Sequence, residues 1–434
     1  MRKALLRLAI PNIIANLSIP LLSIADSAVL GHLPSTIHLA AVSLAGVVFN
    51  FILWSFNFLR MSTTGITAQS YGKQNKEAVS VVFYRSLLIA LIISMVIVVA
   101  RNAIANIGFG LMNPDFGLLN VAMQYFGIRI FAVPAAILNF VIVGWLLGVQ
   151  DSRGAMIVVV FENVVNVGFN LWFVLGQGMA ADGVALGTLI ARWSSLFLGV
   201  AIVILRHRQW LVKPVWGNIF EREGLIQVFS VNGNIFIRTL SLLAVFSWFT
   251  YASSLQGTDM LALNTLLLQF FIVFSFFIDG FSFAGESLSG KFLGGGKIKA
   301  LRYLVRTLMI WGAVLSVIFS LLYLCCGKLM FSLLTDNSSL IEMAQSRRLW
   351  VVLIPLVSFA AFVWDGIYAG MTHTAAMRNV MLVAVGGVFF PLYFGLEYIL
   401  PDMNLWIAFL TFFVARSVGM TLARPKQLQV HKNQ

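Results

Sequence analysis

Long apolar segments recur along the whole chain, and they constrain its fold more than any other feature. An α-helix rises 1.5 Å per residue, so about 20 mostly apolar residues cross a hydrocarbon core about 30 Å thick. The chain contains twelve such segments. They are residues 8–31, 39–60, 80–104, 122–148, 155–176, 181–205, 228–253, 260–289, 303–334, 344–370, 377–399 and 402–423. We therefore predict an all-α integral membrane protein.

Composition agrees with this prediction. Charged residues make up 10% of the chain and the mean hydropathy is +0.92, whereas soluble domains carry about 25% charged residues. The net charge of +13 is explained by basic residues retained in cytoplasmic loops, so we expect a lipid bilayer as partner and no nucleic acid. With the N-terminus inside, the outer loops hold few basic residues, namely Arg101, Lys328, Arg347 and Arg348. Both termini are therefore predicted to be cytoplasmic.

The two halves of the chain resemble each other. Residues 39–44 and 261–266 are similar at an offset of 222 residues, and the same offset relates Gly144 to Gly366 and Gly148 to Gly370. A parallel repeat of this kind predicts two six-helix lobes related by a pseudo-twofold axis along the membrane normal, which usually rock around a central cavity. The predicted bounds are 1–205 for the N-terminal lobe, 206–227 for a cytoplasmic linker and 228–434 for the C-terminal lobe with its tail.

Asp26 lies well inside the first apolar segment. That segment exceeds the 7–15 residues of a signal-peptide core, so we interpret it as a retained helix. A carboxylate at the centre of a membrane helix costs about 2.5–3.5 kcal/mol, and the next basic residue after Arg7 is Arg60. Proton or cation binding is the leading hypothesis, with bracing of a helix as the alternative. Pro11 and Pro20 in the same segment are candidate hinges.

The first half offers further polar candidates in Asn163, Asn166, Asn170 and Thr188. Asn166 and Asn170 are four residues apart and share one helix face. Their amide oxygens, with a hydroxyl and a carboxylate, suit a hard monovalent cation such as Na⁺, and the same amides would equally hydrogen-bond a protonated Asp26. Interhelical packing by polar side chains is an equally good explanation.

The second half contains Asp279 and Glu286, seven residues apart, and Arg238 on the preceding span. Arg238 is expected to pair with either carboxylate, so a structural ion pair and a transport role both remain open. Asp365 is a further candidate of the same kind. Arg60 is predicted near the cytoplasmic end of its helix, with its charged head snorkelling to water.

Motifs for catalysis are missing from the sequence. It shows no His/Cys metal cluster, nucleophile elbow or phosphate loop, so we expect no enzymatic activity, no resident metal and no cofactor.

Several longer motifs carry a family resemblance: residues 26–33, 58–65, 68–72, 144–150, 166–170, 183–188, 264–269, 279–284 and Glu286. Together they resemble the multidrug and toxic compound extrusion (MATE) family, specifically its DinF-like branch. The resemblance spans all twelve helices. It implies the MATE/MOP fold and an exporter that exchanges organic cations or drugs for protons or sodium.

Individual positions follow from this resemblance. Asp26 occupies the position of the family's coupling carboxylate, and Asn166 and Thr188 lie where relatives place ligands around it. Asn170 departs from the pattern, since many relatives have an aspartate there, and this loss favours protons over sodium. In the second half the matching motif includes Asn264 and Gln269, besides the two carboxylates already named.

The predicted mechanism is multidrug efflux by alternating access. Proton binding to Asp26 would let the first helix bend at Pro11 or Pro20 and expel an amphipathic or cationic substrate. Sodium-coupled drug antiport and flipping of lipid-linked oligosaccharides are the alternatives. We expect a monomer in the inner membrane of a bacterium.

Overall fold

The structure, a computed structural model, describes residues 2–31, 35–213 and 216–428, without the side chains of residues 23–27, 29–30 and 426. Throughout these ranges the regular structure is helical and contains no strand. The α-helices are α1 (Arg2–Gly31), α2 (Ile37–Phe56), α3 (Phe58–Gly72), α4 (Lys76–Val99), α5 (Arg101–Met112), α6 (Phe116–Arg129), α7 (Val133–Gly148), α8 (Ser152–Leu171), α9 (Ala181–His207), α10 (Trp216–Ile219), α11 (Arg222–Leu255), α12 (Thr258–Gly294), α13 (Ile298–Ser332), α14 (Ser338–Ser346), α15 (Arg348–Gly370), α16 (Thr374–Val383), α17 (Phe390–Leu396) and α18 (Asn404–Leu422).

Twelve segments within the described ranges are long and apolar enough to cross a membrane, which confirms the predicted fold class. Some are composite, since α2 and α3 together form the span Ile37–Gly72. This span runs well past the predicted end at residue 60, because its second half is polar yet buried. Arg60 is only 7% exposed, so the prediction that it snorkels from a helix end is wrong.

The chain divides into two compact units. One unit comprises Ile10–Phe229, and the other comprises Met1–Ala9 with Ser230–Gln434. The segment that connects the predicted lobes is largely helical at both ends, since α9 continues to His207 and α11 begins at Arg222.

The same close helix contact occurs in each unit at the repeat offset. In the first unit, a Cβ added at Gly148 of α7 would lie 2.5 Å from Thr67 Cβ of α3. In the second unit, a Cβ added at Gly370 of α15 would lie 2.0 Å from the carbonyl oxygen of Glu286 of α12. Small residues that let backbones approach are typical of membrane helix pairs. The two pairs, α3 with α7 and α12 with α15, are therefore equivalent in the two units.

The turns before α4 and α13 also correspond, as do those before α8 and α16. Gln74 (φ 57°) and Gly296 (φ 68°) are left-handed at equivalent positions, as are Gln150 (φ 71°) and Thr372 (φ 54°). In each case the left-handed residue ends one helix and permits the next to begin. The repeat seen in the sequence is therefore a repeat of backbone conformation.

Large apolar side chains cover much of the outer surface. Leu111 is 84% exposed and Leu205 is 82% exposed. Since lipid tails are the solvent for a membrane-spanning helix, such exposure fits a bilayer protein. The interior of each unit is aromatic, with fully buried Trp145 in the first and Phe409 in the second.

Candidate functional site

Three of the predicted site residues form one hydrogen-bonded network between α8 and α9. The Asn170 side-chain amide donates to Asn166 Oδ1 at 2.7 Å, and the Asn166 amide donates to Thr188 Oγ1 at 3.1 Å. The Thr188 hydroxyl in turn donates to the carbonyl of Val184 at 3.0 Å. The predicted shared face of Asn166 and Asn170 is thus observed directly.

A glycine on α9 accounts for the tight packing at this network. A Cβ added at Gly187 would lie 2.0 Å from Asn170 Oδ1. The two helices therefore approach each other closely beside Asn170, which is fully buried at 0% exposure. The side chain of Asn170 leaves no room for a residue larger than glycine at position 187.

Asn163 links α8 to α1. Its amide donates to Ser18 Oγ at 2.6 Å, and Ser18 donates to the carbonyl of Ala15 at 2.7 Å. The α1 backbone runs without a break past Pro11 and Pro20, the predicted hinges. Asp26 lies on the same helix, but its side chain is outside the described residues, so its position at the network stays a prediction.

A second polar cluster lies beside this network and was missed by the sequence analysis. Glu162 Oε1 lies 2.6 Å from Arg192 Nη1, and Glu162 Oε2 accepts from the Asn139 amide at 3.4 Å. Asn139 also donates to Ser195 Oγ at 3.1 Å. The available signal was the spacing, since Glu162 precedes Asn166 by four residues and Arg192 follows Thr188 by four.

The second unit contains a buried ion-pair triad instead of the predicted pairs. Arg238 of α11 binds Asp365 Oδ2 of α15, and Arg416 of α18 binds the same oxygen at 2.7 Å. The expected pairing of Arg238 with Asp279 or Glu286 is therefore wrong. The spacing of residues along α12 does not reveal that α11 places Arg238 against α15 instead.

The other second-unit candidates are dispersed. Glu286 is buried, at 1% exposure, in the turn of α12 that packs against α15, whereas Gln269 is exposed. Asn264 joins three helices, because its amide donates to Ser253 Oγ at 2.9 Å and its oxygen accepts from Trp406 Nε1 at 2.8 Å. Asn264 therefore connects α12 to α11 and α18 through side-chain hydrogen bonds.

An ion pair lies where α8 begins. Asp151 accepts from the Gly154 amide at 2.9 Å, and its other oxygen lies 2.9 Å from His207 Nε2 and 3.9 Å from Arg206. Burial opposes ionisation of this carboxyl, but the hydrogen bonds and the neighbouring positive charges outweigh it, so the pKa of Asp151 is lowered.

Comparison with known proteins identifies the family. Residues 11–172 and 235–394 both match the family model described as MatE. The chain belongs to the MatE family. The two matched stretches of this MATE-family chain lie one in each half, and their ends are separated by close to the offset of the sequence repeat.

No group of three or more His, Cys, Asp or Glu residues that would hold a metal occurs in the described part of the chain.

Relatives of this MATE-family chain extend over nearly its whole length. It is 33% identical over 430 residues to DNA damage-inducible protein F of Escherichia coli (strain K12), covering 97% of the chain and 91% of that protein. It is 22% identical over 432 residues to probable multidrug resistance protein NorM of Thermotoga maritima, covering 96% and 90%. The resemblance to the DinF-like branch is thereby confirmed.

The fold agrees with solved structures of the family. One, described as the outward-facing conformation of a multidrug resistance MATE family transporter of the MOP superfamily, matches with a TM-score of 0.86 at 21% identity. The match covers 97% of this chain and 95% of that structure. The predicted MATE/MOP fold is confirmed.

Proposed function

We propose that this protein is a secondary active multidrug exporter, which exchanges amphipathic or cationic organic compounds for protons by alternating access. Membership of the MATE family and the names of its relatives support export of small organic compounds. We further propose that it works as a monomer in a bacterial inner membrane, with both termini in the cytoplasm and without enzymatic activity. The coupling carboxylate in this proposal is Asp26.

The observation that supports proton coupling is the uncharged hydrogen-bonded network of Asn166, Asn170 and Thr188. Asn166 Oδ1 and Thr188 Oγ1 both accept hydrogen bonds from amide groups inside the network. A sodium site needs such oxygens to face the ion, and added negative charge strengthens it. Asn166, Asn170 and Thr188 supply no negative charge of their own, which favours a proton on a neighbouring carboxylate. Proton binding at Asp26 requires only one titratable group there.

The membrane potential makes such an exchange effective. A charge that crosses about 100 mV gains about 2.3 kcal/mol. Since about 1.4 kcal/mol corresponds to a factor of ten, one charge per cycle supports a concentration ratio of about fortyfold.

The test is transport of ethidium in proteoliposomes, with a proton gradient and a sodium gradient imposed separately. We expect proton-driven transport that Asp26→Asn abolishes, while Asp336→Asn, at an exposed position between α13 and α14, behaves like wild type. Asn170→Asp restores the carboxylate found in many relatives and should add stimulation by sodium. Wild-type transport driven by sodium alone, or normal proton-driven export by Asp26→Asn, would refute the proposal.

A further inference from the structure

Charged and polar side chains form a continuous line between α8 and α9. We call it the polar seam, and it consists of Glu162, Asn166, Asn170, Thr188 and Arg192. The residues on α8 are four apart, and so are Thr188 and Arg192 on α9, which places each set on one helix face. Two cross-links result, Asn166 to Thr188 and Glu162 to Arg192, about one helical turn of 5.4 Å apart.

The Glu162–Arg192 pair lies near the middle of two membrane spans, Ser152–Gly176 and Ala181–Trp210. Glu162 is 9% exposed, so its carboxyl is buried. A buried ion pair is often no more stabilising than apolar residues of similar size, so stability alone gives a weak reason for it. Ionisable residues inside a membrane usually mark ion or proton pathways.

The two oxygens of Glu162 are held unequally. Oε1 lies 2.6 Å from the guanidinium of Arg192, whereas Oε2 accepts a long hydrogen bond of 3.4 Å from Asn139. The Ser195 hydroxyl is a further polar neighbour of the carboxyl. The Asn139 amide makes its shorter bond, at 3.1 Å, to Ser195. Oε2 is therefore the oxygen on which a proton is added at least cost. Arg192 keeps 23% of its side chain exposed, whereas that of Glu162 is 11% exposed, so the carboxylate is the more deeply buried partner.

Few charges surround Glu162. Arg192 is the charged group that faces it from α9, and α7 presents the neutral Asn139. The ion pair of Asp151 with His207 lies at the far end of the same helices, about 16 Å away at 1.5 Å per residue. On α1, Ser18 contacts the neighbouring Asn163, and the Asp26 side chain is outside the described residues.

From this geometry we propose that Glu162 is a second proton-binding group of the transporter, with Arg192 as the counter-charge that holds it ionised until the proton arrives. The inference rests on the proposed function, since it adds a site to the same proton-coupled cycle. One proton adds to Glu162 Oε2 and later leaves from it, and no other bond changes. A carboxylate at the end of the polar seam thus compensates for the neutral Asn170.

The first experiment detects the proton itself. Infrared difference spectra of the purified protein between pH 5 and pH 9 report buried carboxylic acids that lose a proton. We expect a carboxylic-acid band in wild type that is absent from Glu162→Gln and retained in Glu342→Gln, which changes an exposed carboxylate of α14. An identical band in wild type and Glu162→Gln would overturn the inference. This readout needs neither substrate nor transport.

The second experiment separates a proton-binding role from a structural one. The double variant Glu162→Gln/Arg192→Gln removes both charges and keeps hydrogen-bonding groups on both sides, so it avoids leaving one charge buried alone. We expect it to fold and to shift the pH midpoint of proton-driven ethidium efflux by about one unit or more. A wild-type pH profile in this variant contradicts the inference. Absence of proton-driven efflux in wild type refutes the proposed function instead, whatever the infrared spectra show.

Discussion

A single added methyl group at Gly370 should force apart the central helix pair of the second unit. In Gly370→Ala the new Cβ would lie 2.0 Å from the carbonyl oxygen of Glu286 and 2.2 Å from Ser289 Oγ. An ordinary van der Waals contact of a Cβ atom lies at 3.4–4 Å, so the new Cβ and this oxygen must move apart by about 1.4 Å or more. The serine hydroxyl can rotate away, but the backbone carbonyl is fixed in its helix.

The cost follows from this geometry. Overpacking a well-packed interior costs about 1–3 kcal/mol, and the fixed carbonyl places Gly370→Ala at the upper end, near 3 kcal/mol. For units of this size about 2–4 °C of melting temperature corresponds to 1 kcal/mol, so we expect a fall of about 6–12 °C. Thermal unfolding in detergent, followed by fluorescence-detected size exclusion, measures it.

Matched glycine variants control for the substitution itself. Gly233→Ala on α11 meets nothing within 4 Å and should be neutral or slightly stabilising, because alanine favours helix over glycine by up to about 1 kcal/mol. In Gly148→Ala, the counterpart of Gly370→Ala in the first unit, the new Cβ would lie 2.5 Å from Thr67 Cβ. Side-chain rotation does not move a Cβ atom, so we expect a loss similar to that of Gly370→Ala. Equal melting temperatures for Gly370→Ala and Gly233→Ala would refute the reasoning.

Two further predictions concern polar contacts. The pKa of Asp151 is lowered in the folded protein, so its stabilisation is present above the ordinary pKa of about 3.9 and is lost as the pH falls through the lower folded value. Asp151→Asn should therefore be about 0.5–1 kcal/mol less stable than wild type at pH 7 in thermal unfolding, and a deficit that persists undiminished at pH 3 would contradict an ionic origin. Asn264→Ala leaves the buried indole of Trp406 without its acceptor and should cost about 1–3 kcal/mol, with an unchanged KM for ethidium. A raised KM at unchanged stability would instead make Asn264 a binding residue.

Sequence reasoning predicted the helices better than the contacts among them. Hydropathy predicted twelve spans because every segment that crosses lipid must be an apolar helix with its backbone hydrogen bonds made within it. This requirement is local to each segment. It ended the second span at residue 60, since the continuation to Gly72 is polar and is buried by neighbouring helices rather than by lipid. Arg60 is likewise buried by neighbouring helices, which the sequence does not reveal.

The candidate site was partly predictable for a similar reason. Asn166 and Asn170 are on one helix, so their spacing alone predicts that they share a face, and they are hydrogen-bonded. Arg238 was assigned the wrong partner, because Asp365 is 127 residues away along the chain and on a different helix. A helix face can be read from periodicity, but the identity of the facing helix cannot.

The sequence by itself determined the membrane environment, the number of spans, the repeat and the family, since each depends on hydrophobicity, spacing or motifs within short stretches. Only the tertiary structure decided which charges meet. It paired Glu162 with Arg192 and placed Asp365 between two arginines. The physical reason is that an ion pair inside a membrane forms only where helix packing brings two specific turns together. Glycines such as Gly187 and Gly370 permit that approach, and their effect appears only when the opposing helix is known.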